Sequence, residues 1–494
     1  MAYGPSWILF VIFSIIVILF SIILVRYYAD KHQSEKLTKI VTIFTLFIPV
    51  LIICIIPLDI YSLRYDTDHS SSLKAGYYVI FILIMIFSFF VIPFAYFYFE
   101  SEDEDITTKK KVLSAMRYTA FTLVIIFILL LVGLLASPGS VPDSGSKNWK
   151  DAMFGNESAA DSGVLFPIGC LTLLGCYLFL VYTSYGMGAM PIFLLKGKQA
   201  GGNDYNALDE VEEIHDRMMA LESKETLSGK PLSKKEKKEL DSLKRKERIL
   251  NHRNRKEEEP VKGRFDKAIN CIKTSSRIFG VIFILITVFF LISFLISLIE
   301  RPLKSECGWR CGFVLKEPSK NIFDLLMVGL AKGFPMDFIF YFIFSTYILF
   351  TTIAGIVRIS TRFLWIKMYS LRKHASPDQG LLLTGLFIMM IALVLVFEFI
   401  SIAPQYMTFG IGLNEKGNQC TLSDVGVVEN KCRMSMISTL VGRISVKMPF
   451  FAIVYYAVDW LFVILVSIFI FIGIKKKPKN IFAGNRSDSD SDFD

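Results

Sequence analysis

Nine blocks of apolar residues, nearly free of charge, punctuate this sequence. Each is about twenty residues long, the length that crosses bilayer hydrocarbon as an α-helix. Lipid offers the backbone no hydrogen-bond partner, so only helices and closed barrels can span it. Runs of this length and apolarity are helical, and an all-α polytopic membrane protein is predicted. The spans fall at 7–25, 39–61, 76–98, 118–137, 163–190, 278–299, 338–357, 381–403 and 450–474. Composition agrees, with 53% hydrophobic and 20% charged residues. A soluble chain of 494 residues would carry about 25% charge to cover its surface. The first block lacks a basic leader and a small-residue cleavage site, so it is read as a span and not as a signal peptide. The fifth is the longest, with 34 uncharged residues from Ser162 to Leu195. It predicts a long tilted helix, or a helix that continues along the interface after Pro191.

The basic residues orient these spans. With the N-terminus lumenal or extracellular, 39 of the 54 Lys and Arg fall on the cytosolic side and 15 on the other. This is the positive-inside pattern, and it places the C-terminus in the cytosol. Arg26, Lys31, Lys36 and Lys39 follow the first span, and Lys475-Lys476-Lys477 follow the last. The net charge of +9 is therefore a topological signal, and nucleic acid is not expected as a partner. Four parts result: five spans in 1–195, a cytosolic insert at 196–277, four spans in 278–474, and a tail at 475–494.

Cysteines fit this orientation. Cys307, Cys311, Cys420 and Cys432 lie in the two largest outside loops, 300–337 and 404–449. An even set on the oxidising side predicts disulfides. Local pairing, Cys307 with Cys311 and Cys420 with Cys432, is preferred, and cross-loop pairing is the alternative. Asn156-Glu157-Ser158 is a glycosylation sequon in an outside loop.

The insert carries 21 basic and 16 acidic residues. Leu208, Val211, Ile214, Met218 and Leu221 recur at helical spacing, and so do Leu240, Leu243 and Leu250 after a turn at Gly229-Lys230-Pro231. An antiparallel helical hairpin is predicted, either a solvated pair with a narrow apolar seam or a docking surface. Tyr205-Asn206-Ala207-Leu208 has the tyrosine-x-x-bulky form that clathrin adaptors take as an extended strand. In the acidic tail, Ser487, Ser489 and Ser491 each precede an acid by three residues and are candidate phosphorylation sites.

Catalytic signatures are missing from the sequence. It has no Walker A loop, nucleotide fingerprint, zinc-protease helix or serine elbow. All five histidines lie in loops, so no metal site and no enzyme activity are predicted. The polar residues within spans are the candidates for function, since an ionisable group in lipid is costly to keep. Asp459 lies deep in the last span. Glu398, Asp59 and Asp337 lie near the outer ends of the eighth, second and seventh. Every embedded acid is in the outer half of its span, and the four are predicted to line a substrate path open to the lumen. Pro49, Pro57, Pro93, Pro191 and Pro404, with Gly186 and Gly188, mark bends and close helix approaches.

Several strings carry a resemblance. They are Ile56-Pro57-Leu58-Asp59, Thr183-Ser184-Tyr185-Gly186-Met187-Gly188, Phe334-Pro335-Met336-Asp337, Ala354-Gly355 and Ile402-Ala403-Pro404-Gln405-Tyr406. With them the chain resembles the limb-region-like (LMBR1-like) membrane protein family, in its lysosomal cobalamin branch. The resemblance implies nine spans with an outside N-terminus, in the lysosomal membrane, with the plasma membrane as a second station. It implies a role in exporting cobalamin from lysosome to cytosol, directly or by assisting an ABC transporter. The alternative is a trafficking escort, endocytic adaptor or cell-surface ligand receptor with no transport of its own. Cobalamin is then the transported ligand, and no cofactor is bound covalently. The family's tyrosine sorting motif corresponds to Tyr205 and Leu208. Its tryptophan-based adaptor motif does not: Gly263-Arg264-Phe265-Asp266 stands there. The family supplies no cobalamin-contacting residue to carry over.

Overall fold

The computed structural model describes residues 4–29, 36–64, 70–100, 108–135, 159–196, 276–305, 308–310, 317–363, 366–369, 371, 376–415, 417–425, 432–447 and 449–475. Among these, nine helical runs are long and apolar enough to cross a membrane. They are α1 (Gly4–Tyr28), α2 (Lys36–Arg64), α3, α4 (Thr108–Leu135), α5, α6 (Ser276–Lys304), α8 (Met336–Ile359), α9 (Asp378–Ile402) and α12 (Pro449–Lys475). Three shorter helices lie between them: α7 (Ile322–Ala331), α10 (Pro404–Phe409) and α11 (Met436–Lys447). Strands β1 (Thr361–Phe363) and β2 (Ile366–Tyr369) form a small antiparallel hairpin between α8 and α9, the one departure from an all-α fold among the described residues.

Two spans contain a π-helical turn. α3 runs Ser70–Ile86, turns at Phe87–Val91 and continues as Ile92–Glu100. α5 runs Ala159–Leu178, turns at Phe179–Thr183 and continues as Ser184–Lys196. The fifth span is thus one helical run that continues past Pro191. In α3 the turn precedes Pro93, which has no N–H to give the Phe89 carbonyl four residues back. The Thr122 hydroxyl of α4 donates to that carbonyl instead, at 2.6 Å. In α5 the turn is where α8 crosses. Thr183 and Thr352 share a hydrogen bond of 2.8 Å, and the backbones meet at Gly186 and Gly355. A Cβ on Gly186 would collide with the Thr351 carbonyl, and one on Gly355 with the Tyr182 carbonyl.

α9 and α2 are the most enclosed spans, and α4 and α1 the most peripheral. α9 packs against α2, α3 and α5, with α1 outside α2 and α4 outside α3 and α5. Phe290, Phe294, Phe344, Phe399 and Phe462 form an aromatic core where α6, α8, α9 and α12 meet, with centroids 5.4–6.1 Å apart. The outward apolar side chains of α1 and α4, such as Ile8, Leu19, Phe121 and Phe127, are exposed. In a bilayer that exposure costs nothing, because acyl chains cover it. A second compact unit runs from Pro191 to Ile284. Its described part is the close of α5 and the start of α6, where Phe279 and Phe283 lie 6.1 Å apart.

The insert 196–277 beyond the ends of α5 and α6, the tail after Lys475, Tyr205, Leu208, Asn156, Ser487, Ser489, Ser491, Cys307 and Cys311 lie outside the described residues. Cys420 and Cys432 are bonded to each other.

The helix crossing gives a direct test. Gly186→Leu or Gly355→Leu forces a side chain into a facing backbone, which costs about 1–3 kcal/mol or more. Fluorescence-detected size exclusion in detergent is expected to show loss of the folded peak. Tyr185→Leu, one residue away, should retain it.

Candidate functional site

The regions read as outside loops are largely built structure. Within 300–337 and 404–449, expected as loops between spans, α6 continues to Lys304, and α7, α10 and α11 form a partly buried cap on that end of the bundle. These helices have 6 to 12 residues, too few to register as spans.

The cap is tied down where helices break. Pro404 cannot donate to the carbonyl four residues back, so α9 stops at Ile402 and α10 starts anew. The freed N–H groups of Gln405 and Tyr406 donate to the two carboxylate oxygens of Asp324, each at 2.9 Å. The Ile402 carbonyl accepts from Asn321 Nδ2 at 2.8 Å. Asn321 also caps α7 through the Phe323 amide and donates to Ser297 Oγ at 2.6 Å on α6. Two residues three apart on α7 therefore stitch the broken helix. Burial pushes the Asp324 carboxyl up to about 7, while the Tyr406 and Gln405 amides pull it down.

Asp59 does for α11 what Asp324 does for α10. Its carboxylate accepts from the first amides of α11, Met436 N at 3.2 Å and Ile437 N at 2.9 Å, and from the Tyr77 hydroxyl at 3.2 Å. An anion at a helix N-terminus meets unpaired N–H groups and the positive end of the helix dipole. Asp337 accepts from the Tyr406 hydroxyl at 3.1 Å. Further along α11, Arg443 reaches Asp161 at 3.4 Å, and Lys74 reaches the same oxygen at 2.9 Å.

Glu398, on α9, and Asp459, on α12, come together at one cavity. Both are buried. The Arg301 guanidinium enters from α6, 3.5 Å from Asp459, and also donates to the Ala452 carbonyl at 3.2 Å. It lies over the Tyr456 ring at 5.2 Å. These three line a cavity of about 30 Å³ together with Cys176, Tyr455, Ser401 and Ser445. It has room for a water molecule or two.

Of the four acids predicted to line one path, the structure brings two together. Glu398 and Asp459 face the polar cavity. Asp59 and Asp337 are not among its lining residues; they are buried and bond to the cap. Asp324, Asn321, Asp161 and Arg301 escaped the sequence reading. Arg301 carried a signal: it ends an apolar run that faces two embedded acids without a counter-charge. The others had none, because their partners lie on other helices, from 24 to 282 residues away.

Residues 6–278 match the family described as LMBR1-like membrane protein. The chain belongs to the LMBR1-like membrane protein family. It is 34% identical to a protein of Dictyostelium discoideum named probable lysosomal cobalamin transporter, over 99% of this chain and 98% of that one. A protein of Nematostella vectensis with the same name is 29% identical, over 99% of this chain and 97% of that one. The lysosomal cobalamin transport escort protein LMBD1 of Homo sapiens is 29% identical, over 98% and 96%. No solved structure matches the chain.

Two outcomes follow from the geometry. Arg301→Met strands two carboxyl groups in the bundle, which should cost about 3–5 kcal/mol and appear as a large fall in melting temperature. The second outcome is a pH dependence. A carboxyl whose folded-state pKa is raised favours the fold when protonated. The contribution of Asp324 is therefore full below about pH 4 and lost as the pH rises through about 7. The melting temperature should fall across that interval in the native chain and fall less in Asp324→Asn. An equal slope in both removes Asp324 as its source.

Proposed function

We propose that this chain serves the export of cobalamin from the lysosome as a multi-pass membrane protein without catalysis of its own, working beside an ATP-hydrolysing transporter. The observation that carries the reading is the match, over nearly the whole length of both chains, to relatives named lysosomal cobalamin transporter and transport escort protein. The role of assistant, as opposed to conduit, is supported by the interior. Its polar cavity of about 30 Å³ has room for a water or two, and a corrinoid is many times larger. The sequence has no Walker A loop, so ATP is spent by the partner, for which an ABC transporter is the fitting class.

In this reading the cap and its Cys420–Cys432 disulfide face the lumen. The insert faces the cytosol, where Tyr205 and Leu208 can engage a clathrin adaptor. That engagement delivers the chain, and its partner with it, to the lysosome. An acidic lumen also suits Asp324, which supports the cap best when protonated.

The test is release of cobalamin from loaded lysosomes of cells lacking the endogenous relative. This chain alone, an ABC partner alone and both together are compared. Release is expected only with both. Release restored by this chain in lysosomes stripped of ABC transporters would overturn the assistant reading and favour a conduit.

A further inference from the structure

The cluster of Glu398, Asp459 and Arg301 is more than a buried ion pair. A simple pair would balance one carboxylate against one guanidinium. Here two carboxyl groups meet a single guanidinium, all three nearly sealed from solvent. Fully ionised, the cluster would hold an uncompensated negative charge inside the bundle, which burial strongly disfavours. Both carboxyl groups line one small cavity with Arg301. One proton on either carboxyl removes the excess charge, and a protonated carboxyl can donate a hydrogen bond to the other.

The surroundings offer that proton nowhere else to go. Arg301 comes from α6, Asp459 and Tyr455 from α12, and Cys176 from α5. Tyr456, beside Arg301, is committed to the Leu298 carbonyl at 3.3 Å. α11 contributes Ser445 to the cavity, while its Arg443 is turned to Asp161. On the next position of α9, Phe399 packs against Tyr341 with ring centroids 4.5 Å apart and the planes tilted by 44°, and Cys54 is the group beside that tyrosine. Arg301 is therefore the single cation in reach of the two acids among the described residues. One oxygen of Glu398, Oε2, is buried without a hydrogen-bond partner. It belongs to a residue lining a cavity that is polar and large enough for water.

We propose that Glu398 and Asp459, poised against Arg301, form a proton-binding site within the membrane bundle, with the adjoining cavity holding the water that delivers and removes the proton. On binding, an O–H bond forms on one carboxylate and is shared with the other, and the cluster becomes neutral. On release, the proton passes to cavity water and one negative charge remains among α6, α9 and α12. The site goes beyond a role in cobalamin export and stands without it. It gives the bundle two charge states that differ where three helices meet.

The wild-type protein can report on this directly. Glu398 is the one buried glutamate among the described residues. Protein labelled with carboxyl-¹³C glutamate is reconstituted in liposomes, and infrared difference spectra are taken between acidic and neutral buffer. The expected result is a protonated-carboxyl band that grows in acid, moves in D2O and moves with the glutamate label. Glu398→Gln, which keeps the Arg301–Asp459 pair, should abolish it. A spectrum without such a band, or a band unchanged in folded Glu398→Gln, overturns the proposal. Should Glu398→Gln not fold, the labelled wild type decides alone: a titrating glutamate band supports the site, and its absence overturns it.

Discussion

Each backbone polar group that a bundle like this takes into lipid must be satisfied by the protein itself, and the places where helices break are where that constraint bites. The bundle answers it in three ways. At Pro93 a threonine hydroxyl from the neighbouring span replaces the missing amide. At the break between α9 and α10, Asp324 takes two freed N–H groups and Asn321 supplies the freed carbonyl. At the start of α11, Asp59 takes the first two amides. Three of these four side chains are buried acids or amides that look out of place in an apolar sequence. Each is there because a helix ends beside it.

The same constraint accounts for acids near the outer ends of spans. An embedded carboxylate in a transporter reads as part of a cargo path. Asp59 and Asp337 have the right depth for that and a different task. Their partners, the amides of Met436 and Ile437 and the hydroxyl of Tyr406, come from segments far along the chain. Nothing local announces such a partner. Glu398 and Asp459 do converge on a cavity, and the depth of Asp459 in its span was the clue.

The spans themselves were legible because lipid imposes one length and one composition. Their ends drifted by a few residues, as at α6, where the helix carries Glu300 and Arg301 past the apolar run. α7, α10 and α11 were not legible. They are short, and each is held by packing on the bundle instead of by its own length. α11 is the clearest case. Ile437, Leu440 and Ile444 fall on one face at helical spacing and are buried, but Arg433, Arg443 and Lys447 made the segment look like an exposed loop.

α11 also borders the voids inside the bundle. It lines both an apolar void of about 10 Å³ and the polar cavity of about 30 Å³, and the two share Phe397 and Val441. The seat of α11 therefore bears on both voids. That seat is secured twice, by Asp59 on α2 at the helix start and by Asp161 on α5 through Arg443. Without α11, Asp59 would keep only the Tyr77 hydroxyl and Asp161 its contact with Lys74, and each buried acceptor site left open would cost about 1–3 kcal/mol. The same carboxyl groups therefore hold α11 to α2 and α5 and keep themselves satisfied inside the bundle.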